Sequence, residues 1–222
     1  LVRALRVACE RAGVDLRSRV EVAAGIIEGA SIRGVVAADG SRHEAGAVVL
    51  AAGAWSAVEW LPAHVRPPVR PVKGQILTLR GPASRPPASR ILVTERVYLV
   101  PRADGRLIAG ATVEEMGFDT RVTAGGVHEV LREAYRTLPD IAELELEHAA
   151  AGLRPGTPDN APLVGPTDLD GLTLATGHFR NGILLAPLTG EAVAAVLADE
   201  PLPAELRVAD PGRFAPNAEA VR

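Results

Sequence analysis

The chain has 222 residues, with 24 basic against 27 acidic side chains and a formal net charge of −3. At about 100 to 200 residues per domain this allows one large domain or two small interleaved ones, and the near balance of charge excludes the electrostatic footprint of a nucleic-acid binder or of a polybasic membrane binder. Cys9 is the single cysteine, which excludes an internal disulfide and a thiolate-rich zinc site, while 47% hydrophobic and 23% charged residues describe a globular chain with a sizeable core.

Apolar residues from Leu1 to Cys9 recur at helical spacing, and Gly13 stops that helix before Val14 to Leu16, read as a strand. The pattern is already helical at Leu1 and no Met precedes it, so the chain is expected to lack its natural start. Val20 to Val22, Ile26-Ile27 and Ile32 to Ala37 are short strand candidates, with Asp39-Gly40 as a hairpin signal. Ala47 to Gly53 is an uninterrupted apolar run ending in glycine, the pattern of a parallel strand buried on both faces.

Pro62, Pro67, Pro68 and Pro71 then mark a crossover into a second region. There Gln75 to Leu79, Ile91 to Thr94, Val97 to Val100 and Leu107 to Ala111 read as strands, Ala103 to Gly105 as a turn, Gly81 to Arg90 as an exposed loop, and Val127 to Thr137 as a helix closed by Leu138-Pro139. After Leu153 to Gly156 the pattern returns to a strand, Leu172 to Ala175, a glycine-bearing turn, and a helix from about Ile183 to Leu197 in which Pro187 predicts a kink or a late start. Residues 199–222 are polar and proline-rich, no apolar run reaches the roughly 20 residues of a membrane span, and with no signal peptide the cytoplasm is the expected location.

Three places carry chemistry. In Gly177-His178-Phe179-Arg180-Asn181-Gly182 the glycines let backbone approach a flat ligand, and the following helix N-terminus favours an anionic group; an ordinary left-handed turn with a solvated Arg180 is the competing reading. Arg154, a single cation among apolar residues and glycine, suits a carboxylate through two parallel donors, against a structural arginine beside proline in a loop. Tyr98 shares a strand face with Val100 and reads either as a site hydroxyl or as a half-buried core tyrosine. The histidines, His43, His64, His128, His148 and His178, show no metal-binding pair and read as isolated surface residues; Glu114-Glu115 and Glu143, Glu145, Glu147 read as solvated faces.

Ala51 to Ser56, Val72 to Gln75, Tyr98 to Arg102, Gly110 to Thr112, Gly152 to Asp159 and Gly177 to Leu184 occur in one order along nearly the whole chain. That co-linear set resembles the glycine oxidase branch of the D-amino-acid oxidase family of FAD-dependent oxidoreductases, the branch associated with thiamine biosynthesis. The resemblance implies an α/β plus α+β fold: a partial, Rossmann-like FAD-binding domain from residues 1–71 and 153–222, with an inserted antiparallel-sheet substrate domain over 72–152. Relatives open with a G-x-G-x-x-G turn that holds the FAD pyrophosphate; this chain has none, so that unit is expected upstream.

Carried over residue by residue, the resemblance makes Val22 the adenine contact, Gly53 part of the turn lining the cofactor, and His178, Phe179, Arg180, Asn181, Gly182, Ile183 and Leu184 the segment along the flavin. Arg154 becomes the arginine that binds the substrate carboxylate, Tyr98 its hydroxyl partner and Arg180 a second arginine near the isoalloxazine; Val113 stands where relatives carry larger apolar residues. No side-chain base and no metal are implied. The expected reaction is oxidative deamination of a small amino acid, glycine foremost, by FAD and oxygen, in a homo-oligomer when full length. Sarcosine or D-amino-acid oxidation, a dehydrogenase using another acceptor, and a non-catalytic fragment unable to hold FAD are the alternatives.

Overall fold

The computed structural model describes residues 1–214. It opens with helix α1 (Val2–Arg11), none of whose residues is buried. Strands β1 (Val22–Glu28), β2 (Ser31–Ala37) and β3 (Arg42–Glu44) then form an antiparallel meander. Val14 to Leu16 is not a strand: no other segment pairs with it, and the Val14 N–H donates back to the Cys9 carbonyl of α1 (3.0 Å).

Strand β4 (Val48–Leu50) pairs in parallel with β11 (Leu172–Thr176), and β10 (Leu163–Pro166) pairs antiparallel with β11 on its other side. The parallel pairing agrees with the apolar run, but burial on both faces does not, since Val49 is 37% exposed. The final helix α3 (Gly182–Leu197) packs on β10 and β11 rather than over β4. Pro187 lies inside α3, which starts at Gly182 without waiting for it. Ile32, Leu61, Val65, Val69, Leu163, Leu172 and Leu174 make the core that joins this sheet to the meander.

Between β4 and β10 the chain builds a five-stranded antiparallel sheet, ordered β6 (Leu92–Val93), β7 (Tyr98–Pro101), β8 (Arg106–Gly110), β5 (Arg70–Arg80), β9 (Glu145–Gly156). Helix α2 (Ala124–Thr137) begins where the Thr123 hydroxyl accepts from the Gly126 N–H, and it stops ahead of Pro139. Its Val130 and Ala134 cover Leu77, Leu79, Leu99, Leu107 and Ala109. Because side chains alternate along a strand, the other face carries Val72, Gly74, Ile76, Tyr98, Gly110, Gly152 and Arg154.

Strand β9 corrects one expectation. Arg154 is not in a loop: it pairs with Val72 on a 12-residue strand. Glu143, Glu145 and Glu147 are exposed, in agreement with a solvated face, with Glu147 accepting from Arg80 at 2.7 Å. The expected boundaries at 71/72 and 152/153 both fall inside continuous strands, β5 and β9, paired over their length. Of the polar tail, residues 204–209 and 211–214 form 3-10 turns, and residues 215–222 lie outside the described residues.

Candidate active site

The C-terminal ends of the parallel strands β4 and β11 are tied together. Thr176 at the end of β11 donates its hydroxyl to the Gly53 carbonyl (3.2 Å) in the 3-10 turn after β4, and pairs with the buried Ser56 hydroxyl at 2.7 Å. That turn, Gly53–Trp55, packs against β5 and β9 of the large sheet. Ligands in sheets with parallel strands gather at such ends, and from this one the chain runs into Gly177, held at φ +76°, and on to α3.

Asn181 caps α3 without a side-chain hydrogen bond, the first turn carries no acid, and Ile183 and Leu184 are more than three-quarters exposed. The N-terminus of α3 is therefore a positive dipole end with an open apolar flank. His178 is not the isolated surface residue that its spacing suggested: it is half-buried, its Nε2 lies 2.9 Å from Thr189 Oγ1, and burial holds its pKa below the ordinary 6.5. Phe179 donates its N–H to the Pro155 carbonyl (3.0 Å), which fastens this loop to the end of β9, one residue from Arg154.

Arg154 reaches back from β9 over β5. Its Nη1 donates to the carbonyls of Lys73 and Thr112, both at 3.2 Å, and no carboxylate among the described residues pairs with it. Burial draws its pKa down, with the Arg180 cation acting the same way and the Tyr98 hydroxyl opposing. Tyr98 lies across β8: a Cβ on Gly110 would sit 2.5 Å from its hydroxyl oxygen. The structure thus brings Arg154, Tyr98 and Arg180 into one neighbourhood and joins them through Phe179 to the start of α3. Val22 is elsewhere, at the start of β1 in the meander, and Val113, 59% exposed, lies just beyond the end of β8.

Four further polar residues support this face. Lys73, the chain's single lysine, is fully buried with Nζ 3.5 Å from Glu114 Oε2. Glu114 also accepts from the Gln75 amide (2.8 Å) and from the Thr112 hydroxyl, so it is not part of a solvated face; Glu115 is, in an exposed pair with Arg70. The isolation of one lysine in an arginine-rich chain was the available signal.

An unpaired arginine beside a phenol, next to an uncapped helix N-terminus, is chemically suited to a carboxylate and to a group that gathers negative charge. A family profile described as "DAO: FAD dependent oxidoreductase" matches residues 1–196, and the chain belongs to that family of FAD-dependent oxidoreductases. It is 41% identical over 217 residues to the bifunctional protein ThiO/ThiG of Synechocystis sp., covering 96% of this chain and 32% of that one. It is 35% identical to a glycine oxidase of Pseudomonas aeruginosa, covering 97% of this chain and 58% of that one. The crystal structure of glycine oxidase from Geobacillus kaustophilus superposes with a TM-score of 0.86 at 35% identity, covering 95% of this chain and 56% of that one. The chain therefore spans less than two thirds of the length of these relatives.

The residues present fit the redox end of FAD. The open N-terminus of α3 suits the electron-rich edge of a reduced flavin, and exposed Ile183 and Leu184 offer apolar contact beside it. The chain has no G-x-G-x-x-G, so none of its residues is assigned to the pyrophosphate.

Proposed function

We propose that this chain supplies the substrate clamp and the flavin-facing helix of an amino-acid oxidase, whose overall reaction converts glycine, oxygen and water to glyoxylate, ammonia and hydrogen peroxide. The observation that carries this reading is Arg154, half-buried and pinned by two main-chain carbonyls, with no carboxylate of its own among the described residues. A guanidinium in that state is ready for an external carboxylate, where each charge-assisted hydrogen bond is worth roughly 1.5 to 3 kcal/mol.

In this reading Arg154 takes the substrate carboxylate, the Tyr98 hydroxyl donates to the same group, and Arg180 adds a second positive charge. Gly53 and His178 to Leu184 hold the flavin, and Val22 meets the adenine. Bound FAD supplies the two-electron acceptor for the Cα–H bond. The chain's own residues fix the carboxylate, orient Cα, and place the α3 dipole where negative charge collects, a preorganised electrostatic effect. No side chain near Arg154 is required as a base, because the amine reacts in its neutral form. Residues 1–71 and 153–222 serve the cofactor and 72–152 the substrate, with β5 and β9 continuous through both boundaries. A place in thiamine biosynthesis, a cytoplasmic location and a homo-oligomer complete the proposal; no helix among the described residues is long and apolar enough to cross a membrane.

The test uses the full-length protein. Flavin absorbance after purification separates a holoenzyme from a chain unable to hold FAD. Peroxide release from glycine, sarcosine and D-alanine then separates the oxidases, and turnover only with an artificial electron acceptor identifies a dehydrogenase. Arg154→Ala is expected to raise KM for glycine about 100-fold, the loss of one or two charge-assisted bonds; unchanged kinetics would remove Arg154 from the clamp.

A further inference from the structure

Beyond the end of β8 at Gly110, the segment Thr112 to Glu114 is clipped edge-on to β5. Lys73 and Glu114 exchange both main-chain hydrogen bonds, at 2.9 and 3.0 Å, while the Thr112 hydroxyl accepts from the Gln75 N–H at 2.8 Å. Both carbonyls that hold Arg154 Nη1, those of Lys73 and Thr112, belong to this clip. Behind it, on the side away from Arg154, the Lys73 ammonium is fully buried, has no hydrogen-bond partner, and lies 3.5 Å from the part-exposed Glu114 carboxylate, with the Asp119 charge also acting on it. Gln75 extends the arrangement to α2: its amide donates to Glu114 and Thr123 and accepts from the Thr123 N–H.

A buried ammonium whose nearest counter-charge is one part-exposed carboxylate is an expensive element for an internal strand position that Leu or Met could fill. In some proteins such a pair fixes one geometry among several. We propose that Lys73 and Glu114 are positioning residues: their ion pair sets the register of residues 112–114 against β5, and so aims the two carbonyls that orient Arg154 toward the substrate carboxylate. The inference rests on the carboxylate-clamp reading of Arg154 and adds to it the device that holds the clamp. It also places Val113, the residue between the two anchors, at a fixed position on the exposed side of the clip.

The experiment uses full-length, FAD-loaded enzyme, with glycine as substrate and acetate as a carboxylate that has no amine, its binding read by calorimetry. Glu114→Ala is expected to raise KM for glycine and Kd for acetate about ten-fold each, with kcat changed less than about three-fold, the pattern of lost ground-state binding. The paired change Lys73→Met with Glu114→Gln, which removes both charges of the pair and keeps the hydrogen-bonding oxygen, is expected to recover most of both constants. In an Arg154→Ala background Glu114→Ala is expected to add nothing, because the two residues act through one contact. Should Glu114→Ala fail to fold, Glu114→Gln alone carries the measurement, with a smaller rise of about three-fold expected. Unchanged constants in the folded variant, or an equal effect with Arg154 already removed, would overturn the proposal. Wild-type enzyme that neither oxidises glycine nor binds acetate would instead overturn the clamp reading on which it rests.

Discussion

The guanidinium of Arg154 lies directly over Gly74: a Cβ at residue 74 would come within 2.2 Å of both terminal nitrogens. Gly74 pairs with Gly152 on β9, so side-chain-free backbone forms the floor on which the arginine rests. Gly74→Ala is therefore expected to displace the far end of a flexible side chain rather than the sheet. Thermal melting should move by no more than a few degrees, while KM for an amino-acid substrate rises about ten-fold. Steady-state kinetics and a melting curve on the same preparation check both halves.

Tyr98 stands across the sheet in the same manner, its ring on Gly110. Tyr98→Phe keeps the ring and that contact and removes only the hydroxyl, so the fold is expected to be unchanged. KM should rise roughly 10- to 150-fold, the value of one hydrogen bond to a charged group. Equal KM in the two proteins would return Tyr98 to the role of a half-buried sheet residue.

Thr176 joins the ends of β4 and β11 through Ser56 and Gly53. Thr176→Val preserves shape and leaves the buried Ser56 hydroxyl without that partner, a cost of about 1 to 3 kcal/mol. Chemical denaturation should record this loss, and fluorescence of released flavin should show weaker FAD retention in the full-length variant.

His178 is held neutral by burial, with its pKa below the ordinary 6.5. The unfolded chain then binds a proton at a higher pH than the folded one. The stability tied to the neutral ring is present above about pH 6.5 and is lost as pH falls below that value toward the lowered folded-state pKa. Melting temperature is expected to decline as pH falls below about 6.5, and less steeply in His178→Gln, which keeps a polar atom facing Thr189.

Helix α2, the hairpin at Asp39-Gly40 and most strands of the five-stranded sheet were legible in the sequence, because each rests on a local pattern of period 3.6 or 2 or on turn chemistry. The motif order along the chain was legible too, and it led to the right family. Strand β9 was not. Its Ala149-Ala150-Ala151-Gly152 stretch has little preference for extended structure, and it becomes a strand because β5 offers a partner along almost its whole length. Val14 to Leu16 failed in the opposite sense, carrying a strand-like composition and finding no partner.

By itself, then, the sequence determined the family and the mixed architecture, since these follow from local periodicity and from motifs in a fixed order. Only the tertiary structure decided which charges stand alone and which are paired. Arg154 is held by carbonyls contributed by residues 73 and 112, and the lysine at 73 is buried against a glutamate 41 positions away (114 − 73). Contacts of that kind are set by strand register between distant segments, and no local pattern encodes them.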